Sequence, residues 1–427
     1  MSRVLVVSHY ADPEPQPKAG ELARALAGRG HDVRLVTGLP TYPSGRIAPG
    51  YRQVLRSTSM EGGIRTTRTF ELPYRASSPA SRALNLASTG VSMALAYSRD
   101  WAPDAVYVWS PPPTSVLPAH VLARSGRRPR RDGGSGPGRA RIVMDIQDLW
   151  PDFGVHAGVL DDRAALRVLR RVERAAYRGA DRLVVPTDGY RRDLLAKGVP
   201  DARIEVLPNW IADADAEPPD PAAVAATRTA EGWDGRFVVL FAGNLGHAQD
   251  LDVVLDAAAA CDRPEVLVAF AGDGADAARL AARAEALGIG ERVRFLGRRP
   301  AGSMPVLAGA ADALVVHLRP SPLAEVATPT KVNAYLAFGR PILCALGGEG
   351  AALVRRADAG VVVAPGDPVA MAAAMTDLVD LPPAARGAMG ERGRRFARAN
   401  LVQSVLLDAY ETVLGLAWDR PAAAALR

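Results

Sequence analysis

The chain has 427 residues, more than one hydrophobic core usually organises, so two domains of roughly 200 residues each are expected. Apolar residues at 48% and charged residues at 23% exclude a disordered or fibrous chain without naming a function. The formal charge of +6 is mild for this length, and no recognised nucleic-acid motif or aromatic interleaving accompanies it, so binding to DNA or RNA is not expected.

Cys261 and Cys344 are the only cysteines, and both lie in apolar runs with no Cys/His spacing that would hold zinc. A reducing cytoplasmic setting follows as the expectation. The N-terminus turns polar too soon for a signal peptide, and no run reaches the roughly 18 apolar residues of a membrane span. Any membrane contact is then peripheral, at the inner face.

Along the chain, "RVLVVSHY" reads as a buried strand and "AGELARALAGRGHDVRLVTG" as helix, glycine turn and second strand. "PDAVYVWS", "ARIVMDIQ", "RLVVPT" and "IEVLPN" continue the alternation expected of a parallel sheet covered on both faces. "RSGRRPRRDGGSGPGRAR" at 124–141 is the one low-complexity stretch. Near Ile211 the pattern stops in an acidic, Pro-rich stretch that predicts a linker. It restarts with "RFVVLFAGN", "EVLVAFAGDG", "RVRFLG", "ALVVHL", "PILCAL" and "GVVVAP". These boundaries predict domains at 1–212 and 213–395, with 396–427 as a C-terminal helix; the long final helix is expected at roughly 386–418, packing back on either the first domain or the second.

Five stretches carry chemistry. "IQDLWPDF" places Gln147 and Asp148 at the carboxyl edge of a buried strand, where ligands of open α/β sheets bind; a helix cap by Asp148 is the plainer alternative. "FAGNLGHAQDLDVVLDA" and "AFAGDGADAARL" are strand, glycine turn and helix, whose backbone amides can cradle phosphate or a sugar hydroxyl; an ordinary strand-to-helix turn is the alternative. Neither completes a dinucleotide fingerprint. From Arg163 to Arg182 arginines recur at 163, 167, 170, 171, 174 and 178 on one helical face, suited either to an anionic lipid surface or simply to solvent.

"TPTKVNAYLAFGRPILCALGGEG" at 328–350 holds one of three lysines, beside 49 arginines among the 52 basic residues. Thr328 or Thr330 can cap a helix that Gly339 ends, which puts Lys331 in the first turn. A cation there opposes the helix dipole, so a bound anion is a physical reason for it; a solvent-exposed lysine is the alternative.

Taken in order, these stretches with "RGHDVRLVTGLPTYPSGRIAPGYR" and "VLPNW" resemble the GT4-type retaining glycosyltransferases of the GT-B fold, in the WbuB-like branch of bacterial surface-polysaccharide enzymes. The resemblance spans about residues 3–400. It implies two Rossmann-like, doubly wound parallel-sheet α/β domains facing a cleft, and metal-independent transfer by front-face attack. A nucleotide-sugar donor, a UDP-N-acetylhexosamine or derivative, would be held by the second domain. A glycan, lipid-linked or small-molecule acceptor would be held by the first.

The resemblance assigns the donor to Gly243, Asn244, Gln249, Gly272, Arg298, Thr330, Lys331 and Asn333, with Lys18 reaching the diphosphate from the first domain. Gln147, Asp148, Lys331 and Glu349 would form the reacting centre, with no metal and no further cofactor. Asn244, Gln249, Ala334 and Gln147 replace the Arg, Lys, Glu and His common in wider relatives. Those departures keep open a non-catalytic sugar-nucleotide-binding subunit; the lack of a membrane-anchoring run keeps open, separately, an enzyme acting on a soluble natural-product acceptor.

Overall fold

The computed structural model describes residues 1–14, 18–42, 44–74, 79–96, 98, 100–110, 112–125, 139–156 and 162–416. Most of the low-complexity stretch at 124–141 therefore lies outside the described residues. The chain divides into two compact units, Met1–Pro186 with Tyr190–Leu207 and the residues from Leu407 onward, and Thr187–Gly189 with Pro208–Leu406.

The first unit is built on eight strands: β1 (Arg3–Ser8), β2 (Asp32–Thr37), β3 (Arg56–Glu61), β4 (Ile64–Thr69), β5 (Ala105–Ser110), β6 (Arg141–Ile146), β7 (Arg182–Val185) and β8 (Ile204–Val206). Their spatial order is β3-β4-β2-β1-β5-β6-β7-β8, and every pairing is parallel except β3 with β4. Strand β5 is buried at every position, as a central parallel strand with helices on both faces must be. The β3–β4 hairpin is absent from the apolar reading because β3, "RSTSME", is an almost wholly exposed edge strand. Its signal is the Gly62-Gly63 turn, both residues at positive φ, as a two-residue hairpin requires.

The second unit holds β9 (Phe237–Ala242), β10 (Val266–Ala271), β11 (Val293–Gly297), β12 (Ala313–His317), β13 (Ile342–Ala345) and β14 (Gly360–Val362). All are parallel, in the order β11-β10-β9-β12-β13-β14. The order reverses between β9 and β12, so the crevice beyond their carboxyl ends is where such a sheet receives ligands. Val238 and Leu240 of β9 enter the core on one face, whereas Phe237, Val239 and Phe241 enter the other.

Two expectations are corrected. The acidic, Pro-rich stretch after Ile211 is a folded part of the second unit, with a helix at Pro221–Ala230 and Trp233 completely buried. The long C-terminal helix is two helices, Pro383–Asn400 and Gln403–Leu414. It breaks because Leu401 and Gln403 exchange backbone hydrogen bonds with Ile211 (2.9 and 3.0 Å), which also buries Leu401 and Val402 in the core.

Candidate active site

Strands β9 and β10 end in glycines that only glycine can occupy. Gly272 has φ of 155°, and a Cβ there would lie 1.8 Å from the Gly243 carbonyl oxygen; Gly243 has φ of 138°. The two strand ends thus approach closely and open a pocket of about 560 Å³, walled by Gly243, Asn244, Gly272, Arg298, Lys331 and Ala334 among others. Tyr335 fixes the β9 end, since its hydroxyl accepts from the Ala242 N–H (2.7 Å) and donates to the Ala242 carbonyl (3.2 Å).

Lys331 is the second residue of the helix Thr330–Phe338. Pro329 occupies the cap position, and proline offers no side-chain acceptor, so neither Thr328 nor Thr330 caps this helix as the sequence suggested. The first turn is thus left without a side-chain partner. The Lys331 ammonium lies 3.9 Å from the Phe241 ring centroid, is buried, and has no hydrogen-bond partner among the described residues. Burial alone pushes its pKa down to about 8.

The other two lysines are neutralised. Lys197 is held by Asp152 (2.7 Å), Glu173 (2.8 Å) and Asp193 (2.8 Å), which raise its pKa. Lys18 is buried against Asp145 at 3.1 Å. In this structure the Lys18 charge, expected to reach a diphosphate, is matched by Asp145 inside the first unit. Asp145 is itself wholly buried and accepts from the hydroxyls of Tyr107 (2.7 Å) and Tyr410 (2.8 Å) and from Gln147 Nε2.

The remaining donor candidates divide. Asn244 and Gln249 meet, with Asn244 Nδ2 donating to Gln249 Oε1 at 3.4 Å, and Arg298 is exposed on the pocket wall, while Arg299 is tied to Glu231 (2.7 Å). Thr330 is exposed at the helix start. Asn333 is buried and donates to the Asn209 carbonyl at 2.7 Å, while its Oδ1 has no hydrogen-bond partner among the described residues. Ala334, one helical turn from Lys331, faces the pocket. Glu349 lies in the first turn of Gly348–Ala357, apart from the pocket wall.

Sequence reasoning did not single out Phe241 or His317. His317 ends β12 fully buried; its Nδ1–H donates to the Gln249 carbonyl (2.8 Å), and its Nε2 accepts from the Gly366 N–H (2.9 Å). That pattern requires the neutral imidazole, and burial lowers its pKa accordingly. His317 thereby fixes the turn that carries Asn244 and Gln249.

In the first unit, Gln147 and Asp148 follow β6. The Gln147 N–H donates to the Ser110 carbonyl (2.8 Å) and its carbonyl accepts from Tyr190 (3.1 Å), so the backbone there is pinned on two sides. Asp148 is largely buried, which raises its pKa. Beyond β1, buried His9 and Glu71 stand 3.6 Å apart, and Thr41 (2.7 Å) and Asn85 (2.6 Å) donate to Glu71. Burial pushes Glu71 up to about 7 and His9 down to about 3. The arginines at 163, 167, 170, 171, 174 and 178 are all exposed on the helix Arg163–Gly179.

Among the described residues no group of three His, Cys, Asp or Glu side chains is placed to hold a metal ion, and no helix is long and apolar enough to cross a membrane.

Residues 15–210 match the family described as glycosyl transferase 4-like domain, and residues 225–396 match glycosyl transferases group 1. The chain is 27% identical over 334 residues to the putative colanic acid biosynthesis glycosyl transferase WcaI of Escherichia coli, covering 75% of this chain and 76% of that protein. It is 31% identical over 248 residues to the probable glycosyltransferase WbjE of Pseudomonas aeruginosa, covering 56% and 60%. In fold it is similar to Anabaena HepE, solved in complex with UDP, with a TM-score of 0.68 at 15% identity over 97% of this chain and 100% of that one. With a 4-like domain followed by a group 1 domain on two parallel α/β sheets, the chain belongs to the glycosyltransferases of the GT-B fold.

Proposed function

We propose that this glycosyltransferase moves a sugar, with retention of configuration, from a UDP-linked donor of the N-acetylhexosamine type to a lipid-linked or polysaccharide acceptor. The observation that carries the reading is Lys331: a buried ammonium without a hydrogen-bond partner among the described residues, in the first turn of a helix without a side-chain cap, on the wall of a 560 Å³ pocket. Helix dipole and ammonium both favour an anion at that point, and a diphosphate supplies one. The UDP held by HepE and the colanic acid role in WcaI's name support the choice of donor and acceptor.

The chemistry follows from charge. The acceptor hydroxyl oxygen attacks the anomeric carbon on the face that the diphosphate leaves, the bond from that carbon to the phosphate oxygen breaks, and the acceptor proton passes to the departing phosphate. Gln147 has no basic atom for that proton, so none is asked of it. Lys331 stabilises the charge that grows on the leaving oxygen, and an ammonium in a desolvated site does so strongly. Asp148, kept from water by burial, orients the acceptor hydroxyl.

A panel of UDP-sugars with UDP release as readout tests the donor, and proton NMR of the product tests retention. Release that survives a chelator and falls at least 100-fold in Lys331→Met, from loss of a charge-assisted contact, agrees with the proposal. No release from any UDP-sugar, or an inverted product, contradicts it.

A further inference from the structure

In the first unit, the helices Pro79–Ala94, Val116–Leu122 and Arg163–Gly179 pack side by side, the second contacting both others. Their outward faces are unusual for a soluble surface. Leu84, Val91 and Leu95 stand outward at intervals of seven and four residues, and Leu117 and Val121 at an interval of four; with Val168 these side chains are 43–75% exposed. Six arginines of the neighbouring helix Arg163–Gly179 are exposed, and Arg124 is exposed just past the middle helix.

Carboxylates are few here among the described residues: Asp152 lies 3.5 Å from Arg170, and the exposed Asp162 caps the third helix. The first two helices contain no Asp or Glu, and the one acid in the third, Glu173, is buried and bound to Lys197 and Tyr177. An exposed charged face on an ordinary soluble helix usually mixes both signs, and exposed leucines usually stand singly. Here apolar side chains and cations of one sign share one surface.

We propose that this three-helix face docks on an anionic lipid bilayer, its leucines and valines entering the headgroup boundary while the arginines meet lipid phosphates. Charge complementarity selects the occupant: a second copy of the same face would set arginines against arginines, whereas an anionic bilayer supplies both negative charge and a hydrocarbon boundary. The surface lies wholly within the first unit and is independent of how the donor is bound.

The test is flotation of the full chain with phosphatidylcholine vesicles, with and without phosphatidylglycerol. Three chains are compared: the wild type, Leu84→Ser/Val91→Ser/Leu95→Ser, and Arg167→Gln/Arg171→Gln/Arg174→Gln. Wild type is expected to float only with phosphatidylglycerol and to be released by salt. Each arginine contributes on the order of a fivefold change in partition, so the arginine variant binds roughly 100-fold more weakly. The leucine variant falls at least tenfold. Both variants retain wild-type circular dichroism and UDP affinity, which separates this surface from the donor pocket. Equal flotation by variants and wild type, equal binding to neutral vesicles, no binding, or self-association that the leucine variant abolishes would each overturn the proposal.

Discussion

Replacing Lys331 by methionine is expected to stabilise the unliganded protein while removing its hold on the donor. Methionine keeps an unbranched apolar stem over Phe241 and deletes only the charge. The folded chain depresses the lysine pKa from 10.5 to about 8, which corresponds to a cost on the order of 3 kcal/mol when both states are protonated. Loss of the contact with the Phe241 ring takes back about 1 kcal/mol of that, so a net gain of about 2 kcal/mol is expected at neutral pH. The sign with pH is fixed. Between 8 and 10.5 the unfolded chain binds more protons at this residue than the folded chain, so this contribution to wild-type stability rises with pH through that window and is fully lost below it. Urea unfolding from pH 7 to 11 reads both effects. Lys331→Met should show the higher midpoint at pH 7.5, and the gap should close by pH 10.5. A variant less stable than wild type at pH 7.5, or a gap that does not change with pH, would mean that Lys331 already has a partner inside the protein.

The buried lysine of the first unit should behave oppositely. Lys18→Met leaves Asp145 buried without its cation and is expected to destabilise by about 3 kcal/mol while UDP affinity stays within twofold, as measured by urea unfolding and calorimetry. Gly272→Ala drives a Cβ into the Gly243 carbonyl and should cost more than about 2 kcal/mol, lowering UDP affinity with it; a neutral effect would contradict the close approach of β9 and β10. Glu71, raised to about 7 from 4.5, contributes stability that is complete below pH 4.5 and lost as pH rises through 7. Glu71→Gln retains an acceptor for Thr41 and Asn85 but does not titrate, so the stability difference between variant and wild type should grow in the variant's favour from pH 4.5 to 7.5.

Both parallel sheets were legible because their strands are continuous apolar runs, buried on both faces and separated by helical spacing. Strand β3 escaped because an exposed edge strand of Ser, Thr and Arg has no apolar signature. The C-terminal break escaped because it depends on Ile211, 190 residues upstream of Leu401, and no local pattern reports such a pairing. Lys331 could be placed on its helix from spacing, yet the absence of a hydrogen-bond partner for it among the described residues needed coordinates. The same held for Lys18, whose rarity suggested a ligand while its surroundings supply Asp145. The placement of Asn333 has a rotational reason: neighbours on a helix differ by about 100°, so Ala334 shares the Lys331 face and Asn333 turns to Asn209.

The central claim is that Lys331 is kept charged and unpartnered for a nucleotide diphosphate, and calorimetric titration of UDP tests it most directly. At pH 7.5 wild type should bind at least tenfold more tightly than Lys331→Met, from loss of one charge-assisted contact. Above pH 8 the wild-type affinity should fall and binding should take up protons, because the bound anion restores the charge that burial suppresses; the variant should do neither. Equal affinities with no proton uptake in either protein would contradict the account.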